Sequence, residues 1–99
     1  MSILPIVKMC RHTNALRVFT SVNKSRHSTI FRLQGRVSSK RTQDSIQISD
    51  HEHLVDQHLG KFMQQSSTPT CKIMGQDVVA ACDMQPGDQL TYNCEFTEN

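Results

Sequence analysis

The run CKIMGQDVVAACDMQPGDQLTYNCEF, residues 71–96, constrains the fold more than any other stretch of the chain. Its strand-like runs at 72–74 and 78–82 lie on either side of Gly75, as in two strands joined by a tight turn. Pro86 and Gly87 supply the fixed φ and the positive φ of a type II turn. Beyond that turn, polar residues alternate with residues that form one largely apolar face: Leu90, Tyr92, Cys94 and Phe96. This run therefore predicts β structure with a hairpin or a corner.

The preceding residues extend the β prediction. In DSIQIS, residues 44–49, Ile46 and Ile48 share one face of a half-buried strand. In HEHLVDQHLGKFM, residues 51–63, apolar residues recur at helical spacing, but Gly60 weakens a helix, so we expect a turn or a single helical turn. The sequence thus predicts a mainly β fold, built from short strands and turns, over residues 41–99.

The charges divide the chain into two segments. Residues 1–43 carry nine basic residues and no acid, whereas residues 44–99 carry two basic residues and all nine acids. The first segment is also rich in Ser and Thr. Its apolar residues fall on one face of a helix predicted over about residues 12–24: Ala15, Val18, Phe19 and Val22. We therefore predict a disordered or helical basic segment, residues 1–40, before a domain at 41–99.

An Arg-rich, Ser-rich, acid-free segment of this kind is typical of a mitochondrial transit peptide. The sequence favours import into the matrix, with processing near GRVSSK, residues 35–40. The alternative is a disordered basic tail on a nuclear or cytoplasmic protein, in contact with nucleic acid or acidic lipid. No nucleic-acid motif is evident, and the longest apolar runs are far shorter than the ~20 residues of a membrane-spanning helix.

If the basic segment is removed, the remainder is small for an independent domain. A chain of about 60 residues buries only about 60% of its unfolded surface. We therefore expect the remainder to pair with a partner chain or to dimerise. The four cysteines, at positions 10, 71, 82 and 94, form no C-x-x-C pair and indicate thiols, which more often pack as small hydrophobes than react.

The segment DVVAACDMQPGDQLTYNCEF resembles the C-terminal strands of the SET domain, the fold of many protein-lysine methyltransferases. In that family, an apolar strand is followed by the pattern D-I-x-x-G-E-E-L-T-Y/F-D-Y. The residues that fit in order are Val78, Val79, Ala80, Asp83, Met84, Gly87, Asp88, Leu90, Thr91 and Tyr92. The stretch KFMQQSSTPTCKI, residues 61–73, is similar to the family's N-H-S-C-x-P-N-C loop. SIQI and the following His53 resemble the element before that loop. The resemblance covers about residues 44–99.

The resemblance implies a site for S-adenosylmethionine and a protein-lysine substrate. In the family, the loop Asn and the backbone beside the His hold the cofactor, so Gln64, Gln65 and Ser66 are the candidate cofactor-binding residues. A tyrosine at the D-Y end lines the lysine channel, a position held here by Cys94. Tyr92 occupies the earlier aromatic position, which shapes that channel, and is the candidate catalytic residue.

The chain departs from the family pattern at its chemical positions. Gln64 replaces the Asn and is one methylene longer, Gln65 replaces the His, and the thiol of Cys94 is a weak hydrogen-bonding group. The glycine-rich upstream motif and the cysteine cluster that follows the domain are also missing. We therefore expect a truncated, catalytically impaired methyltransferase. The alternative is a non-catalytic mitochondrial binding module whose incomplete sheet pairs with a partner chain.

Other sites have weaker support. His51, His53 and His58 lie close in sequence and suggest a zinc or copper site, but their spacing specifies little, and the predicted site contains no metal. Ser66 or Ser67 with His58 suggests a nucleophile and its base. No nucleophile elbow or orienting acid accompanies that pair. An exposed polar connection explains the histidines equally well.

Overall fold

The computed structural model describes residues 4–12 and 14–93 as a mainly β structure, which confirms the predicted fold class. A single 3₁₀ turn, Gly60–Phe62, interrupts the strands. The ten strands are β1 (Ile6–Cys10), β2 (Ala15–Phe19), β3 (Thr29–Arg32), β4 (Val37–Ser38), β5 (Ile46–Gln47), β6 (His53–Leu54), β7 (Gln64–Gln65), β8 (Cys71–Met74), β9 (Asp77–Ala80) and β10 (Thr91–Tyr92).

The strands form four small sheets. β1 and β2 make an antiparallel hairpin, and β7 and β10 make a parallel pair. The two three-stranded sheets have the orders β3-β9-β8 and β4-β6-β5. Within the described residues, no helix is long and apolar enough to cross a membrane.

The helix predicted over about residues 12–24 is wrong. Residues 15–19 form β2, which pairs along its length with β1. Val18 and Phe19 are consecutive and both buried, so both faces of this end of the strand are covered. A strand covered on both faces loses the alternating pattern that identifies half-buried strands, and its apolar residues then fit a helical face by coincidence.

The basic segment is joined to the segment that carries the PGD turn. Thr20 N–H donates to the Asp88 carbonyl at 2.9 Å, and Leu90 N–H donates to the Val18 carbonyl at 2.9 Å. Further along, Lys24 and Met84 form an antiparallel bridge. β3 pairs with β9, so the 1–40 segment contributes directly to a sheet of the 41–99 segment. These contacts make residues 15–32 part of the same packed unit.

The core lies between these sheets and draws on both segments. Val18, Ile30, Phe31 and Leu33 come from residues 1–40. The remaining buried core residues are Ile46, Ile48, Leu54, Met63, Cys71, Val78, Ala80, Met84, Leu90 and Tyr92. The predicted burial of Ile46 and Ile48 on one face is confirmed.

The predicted turns are present. β8 and β9 form a hairpin around Gly75, whose φ is 61°. In the 85–88 turn, Gly87 has a φ of 95°, and the Asp88 N–H donates to the Gln85 carbonyl at 3.0 Å. That turn makes a corner and not a hairpin, because β10 pairs with β7 instead of β9.

Candidate functional site

The parallel pair β7–β10 brings the two predicted site segments together. Tyr92 is in register with Gln65, and Thr91 with Gln64. Ser66 N–H donates to the Tyr92 carbonyl at 2.8 Å. The predicted proximity of Tyr92 to the 64–71 loop is therefore confirmed. These residues are about 25 positions apart in sequence, so long-range backbone pairing holds the site.

The loop after β7 is fixed to β10 by one threonine pair. Thr70 N–H donates to the Thr91 Oγ1 at 2.9 Å, and Thr91 N–H donates to the Thr70 Oγ1 at 3.0 Å. The Thr70 hydroxyl also donates to the Gln89 carbonyl at 2.9 Å. Thr70, at the position of the family's second Asn, therefore holds the loop in place.

The side-chain oxygen of Gln64 is already used inside the protein. Its Oε1 accepts from the Gln89 Nε2 at 2.9 Å and from the Arg17 Nε at 3.3 Å. Sequence reasoning missed Arg17 because it lies on a distant segment. It missed Gln89 because this residue departs from the acidic residue of the family pattern between Asp88 and Leu90. This cluster leaves the Gln64 oxygen committed to two protein donors.

A polar cavity of about 180 Å³ lies beside the β7–β10 pair. Gln65 and Tyr92 line it, whereas Gln64 and Ser66 are not among its lining residues. Cys94 lies outside the described residues. The rest of the wall comes from the segment between β4 and β5 and from the β5–β6 pair: Arg41, Thr42, Gln43, Ser45, Gln47 and His53.

His53 is the one predicted histidine that reaches this cavity. It is 9% exposed, and its Nδ1 is buried without a hydrogen-bond partner. His51 and His58 are exposed, and the described residues contain no group of three or more metal-ligating side chains. The three histidines therefore do not form the zinc or copper site that their spacing suggested.

The suggested pairing of serine with His58 has no geometric support. The Ser66 hydroxyl accepts from the Thr68 N–H at 3.0 Å, within a local turn. His58 instead lines a separate cavity of about 370 Å³, beside Asp56 and Leu59. No nucleophile–base pair is assembled there.

The described cysteines differ in environment. Burial raises the pKa of the Cys71 thiol to about 11, although hydrogen bonds with Thr70 and Thr91 partly oppose the shift. Because the thiolate is the nucleophile, Cys71 is unreactive at neutral pH and serves as a small core residue, as predicted. Cys82 is exposed, so it does not pack as a small hydrophobe in the way predicted for the cysteines.

Comparisons with known proteins bear on the fold alone. No family model and no curated protein matches the chain. A crystal structure from Plasmodium falciparum, described as that of a "putative histone methyltransferase", superposes with a TM-score of 0.72 at 11% sequence identity. The match covers 95% of this chain and 99% of that one. The fold likeness therefore reaches β1–β4, well beyond the 44–99 range of the sequence resemblance.

Proposed function

We propose that this chain is a SET-like protein related to protein-lysine methyltransferases, with impaired methyl transfer. The observation that carries the proposal is the β7–β10 pair, which sets Gln65 against Tyr92 at the wall of a polar cavity. The likeness to a protein described as a histone methyltransferase supports the same fold. S-adenosylmethionine is the cofactor that this function requires.

S-adenosylmethionine, when bound, would supply a sulfonium methyl for displacement by a neutral lysine amine and would leave as S-adenosylhomocysteine. Such a displacement depends on positioning and on preorganised polar groups. Tyr92, buried against the cavity, is the residue of this chain best placed to orient an amine.

Impairment follows from the residues at the cofactor positions. The Gln64 oxygen is bonded to Gln89 and Arg17, so its amide is held away from the role of the family's Asn. Cys94 replaces the channel tyrosine. Removing one oriented donor from a preorganised site costs roughly 10²-fold in rate or more, so these two changes account for a severe loss.

We expect methyl transfer to return when the family residues are restored. The double variant Gln64→Asn with Cys94→Tyr should methylate a lysine peptide library at least about tenfold faster than the parent, because each restored group supplies an oriented contact. Transfer is measured with methyl-labelled S-adenosylmethionine.

Two further variants make this test specific. Gln65→Asn makes the same chemical change one residue away and should give no gain. Tyr92→Phe in the double variant should lower the rate again. Methyl transfer by the parent chain that survives Tyr92→Phe would show that the site is elsewhere.

Partner binding and dimerisation stay predictions. The residues that favour them are on the β1–β2 hairpin, where Met9 and Leu16 are paired across the strands and are 53% and 43% exposed. Ile6 on β1 is also exposed. An exposed apolar strand at a sheet edge is a common site for pairing with another chain.

A further inference from the structure

The cavity beside the β7–β10 pair has one charged residue in its wall. Arg41 supplies that charge, and no Asp or Glu contributes to the lining. The other side chains are hydroxyls, amides, a phenol and an imidazole: Thr42, Gln43, Ser45, Gln47, His53, Gln65 and Tyr92. A lysine ammonium needs acceptors and would meet a like charge here. The wall instead suits an anion.

His53 adds a second, independent observation. Its Nδ1 is the one buried side-chain nitrogen or oxygen without a hydrogen-bond partner in residues 4–12 and 14–93. Buried polar atoms are nearly always paired, and an orphaned one points to a ligand or an ordered water. A protonated imidazole nitrogen donates a hydrogen bond, and an anion is a suitable acceptor for it.

We propose that this cavity binds the carboxylate group of a small ligand or of an acidic side chain. The Arg41 guanidinium presents planar paired donors that match the two oxygens of a carboxylate. His53 also lines the cavity, and its Nδ1 is buried without a hydrogen-bond partner. Arg41 has no ion-pair partner within the described part of the chain, where the single recorded salt bridge joins Arg32 and Asp77.

The volume fits a short carboxylate. At about 180 Å³, the cavity is slightly larger than cavities of ~150 Å³ that hold a benzene molecule. Propanoate, which reproduces the end of a glutamate side chain, has a similar number of heavy atoms. The exposed Arg36 and Lys40 lie near Arg41 in sequence and increase the positive field that attracts an anion.

This inference goes beyond the proposed function and does not depend on it. The two proposals share this cavity but need different residues: methyl transfer requires Tyr92 and the cofactor positions, whereas carboxylate binding requires Arg41 and His53. The Arg41→Gln variant therefore tests carboxylate binding without changing a residue that methyl transfer requires.

The test is a titration of the full chain with propanoate, followed through the imidazole nitrogen resonances. We expect saturable binding that shifts the His53 signal, which is assigned with a His53→Gln variant. Arg41→Gln should weaken the affinity at least about tenfold, because it removes a charge-assisted bidentate contact. N-acetyl-glutamate N-methylamide is titrated in parallel. Binding tighter than that of propanoate assigns the site to a peptide side chain, and weaker binding assigns it to a free small carboxylate.

Lys40→Gln is the matched control. It also removes one positive charge, but the Lys40 side chain, next to Arg41 in sequence, does not line the cavity. It should change the affinity less than about twofold. An equal loss in Lys40→Gln and Arg41→Gln would mean diffuse attraction and would overturn the proposal. The same follows if propanoate does not saturate, or if methylammonium shifts the His53 signal as propanoate does.

Discussion

A chain that begins at Ser39 is expected to be unfolded, while the full chain folds cooperatively. The shortened chain lacks β1 to β4 and with them four buried core residues: Val18, Ile30, Phe31 and Leu33. It also loses β3, one of the two partner strands of β9. The backbone groups of residues 18–20 that pair with residues 87–90 are lost as well.

The expected loss is as large as the whole stability of a domain. Burying one large apolar side chain contributes about 1.5–3 kcal/mol, so four contribute about 6–12 kcal/mol. Domains of this size are stable by only about 5–15 kcal/mol. Unpaired strand edges left on β9 would add to the destabilisation.

Circular dichroism and urea unfolding of the two chains measure this effect. A full-length variant with Arg36→Gln and Lys40→Gln is the control, since it lowers the basic charge and keeps every strand. That variant should unfold near the parent's urea midpoint. A cooperative transition in the chain from Ser39 would contradict the account and would show that the basic segment is removable.

This result also bears on import. Mitochondrial import stays a prediction, as does the boundary at residue 40. Processing within GRVSSK would leave a mature chain without β1–β3. The truncation experiment therefore also shows whether such a mature chain folds alone.

Asp56→Ala is expected to destabilise the full chain by about 3 kcal/mol or more. Asp56 is 1% exposed, and its carboxylate accepts three backbone N–H groups. Oδ1 accepts from His58 at 2.7 Å and from Leu59 at 3.0 Å, and Oδ2 accepts from Gln34 at 2.9 Å. The three bonds are partly buried, and each such donor costs about 1 kcal/mol or more when it loses its partner.

Two substitutions calibrate this prediction. Asp56→Asn keeps one acceptor oxygen but turns an amide N–H toward a backbone donor, so an intermediate loss is expected. Asp77→Ala breaks the exposed Arg32–Asp77 ion pair, 3.2 Å long, and should cost no more than about 1 kcal/mol. Equal urea midpoints for Asp56→Ala and Asp77→Ala would mean that the Asp56 hydrogen bonds do not stabilise the fold.

Local signals in the sequence predict the local structure well. Ile46 and Ile48 alternate with polar neighbours, and both are buried as that pattern requires. Gly75 and Gly87 stand where the chain needs positive φ, at 61° and 95°. These features are decided within a few residues, so a short window contains the information.

Local sequence signals did not predict the structure of the basic segment. Its composition resembles a transit peptide, but composition does not specify backbone geometry. Val18 and Phe19 are consecutive in β2 and both are buried, so the pattern of this strand does not alternate. Helical spacing then fits the same residues.

The candidate site was only partly predicted, because most of its long-range contacts also leave no local pattern in the sequence. The resemblance predicted that Tyr92 lies near the 64–71 loop, because two motifs in order carry long-range information. The structure adds that its partner there is Gln65. Arg17 and Arg41 belong to no motif and reach the site only through the fold. His53 was noted as a member of a histidine group, and only its burial distinguishes it from His51.

Titration of S-adenosylmethionine against the purified full chain, followed by calorimetry, tests the central claim most directly. That claim is that the chain keeps the shape of a methyltransferase site while its cofactor-binding chemistry has been replaced. We predict no saturable heat up to about 1 mM, a concentration that corresponds to about −4 kcal/mol of binding free energy. Saturable binding in the micromolar range would contradict the claim and would show that Gln64 and Gln65 support the cofactor as they stand.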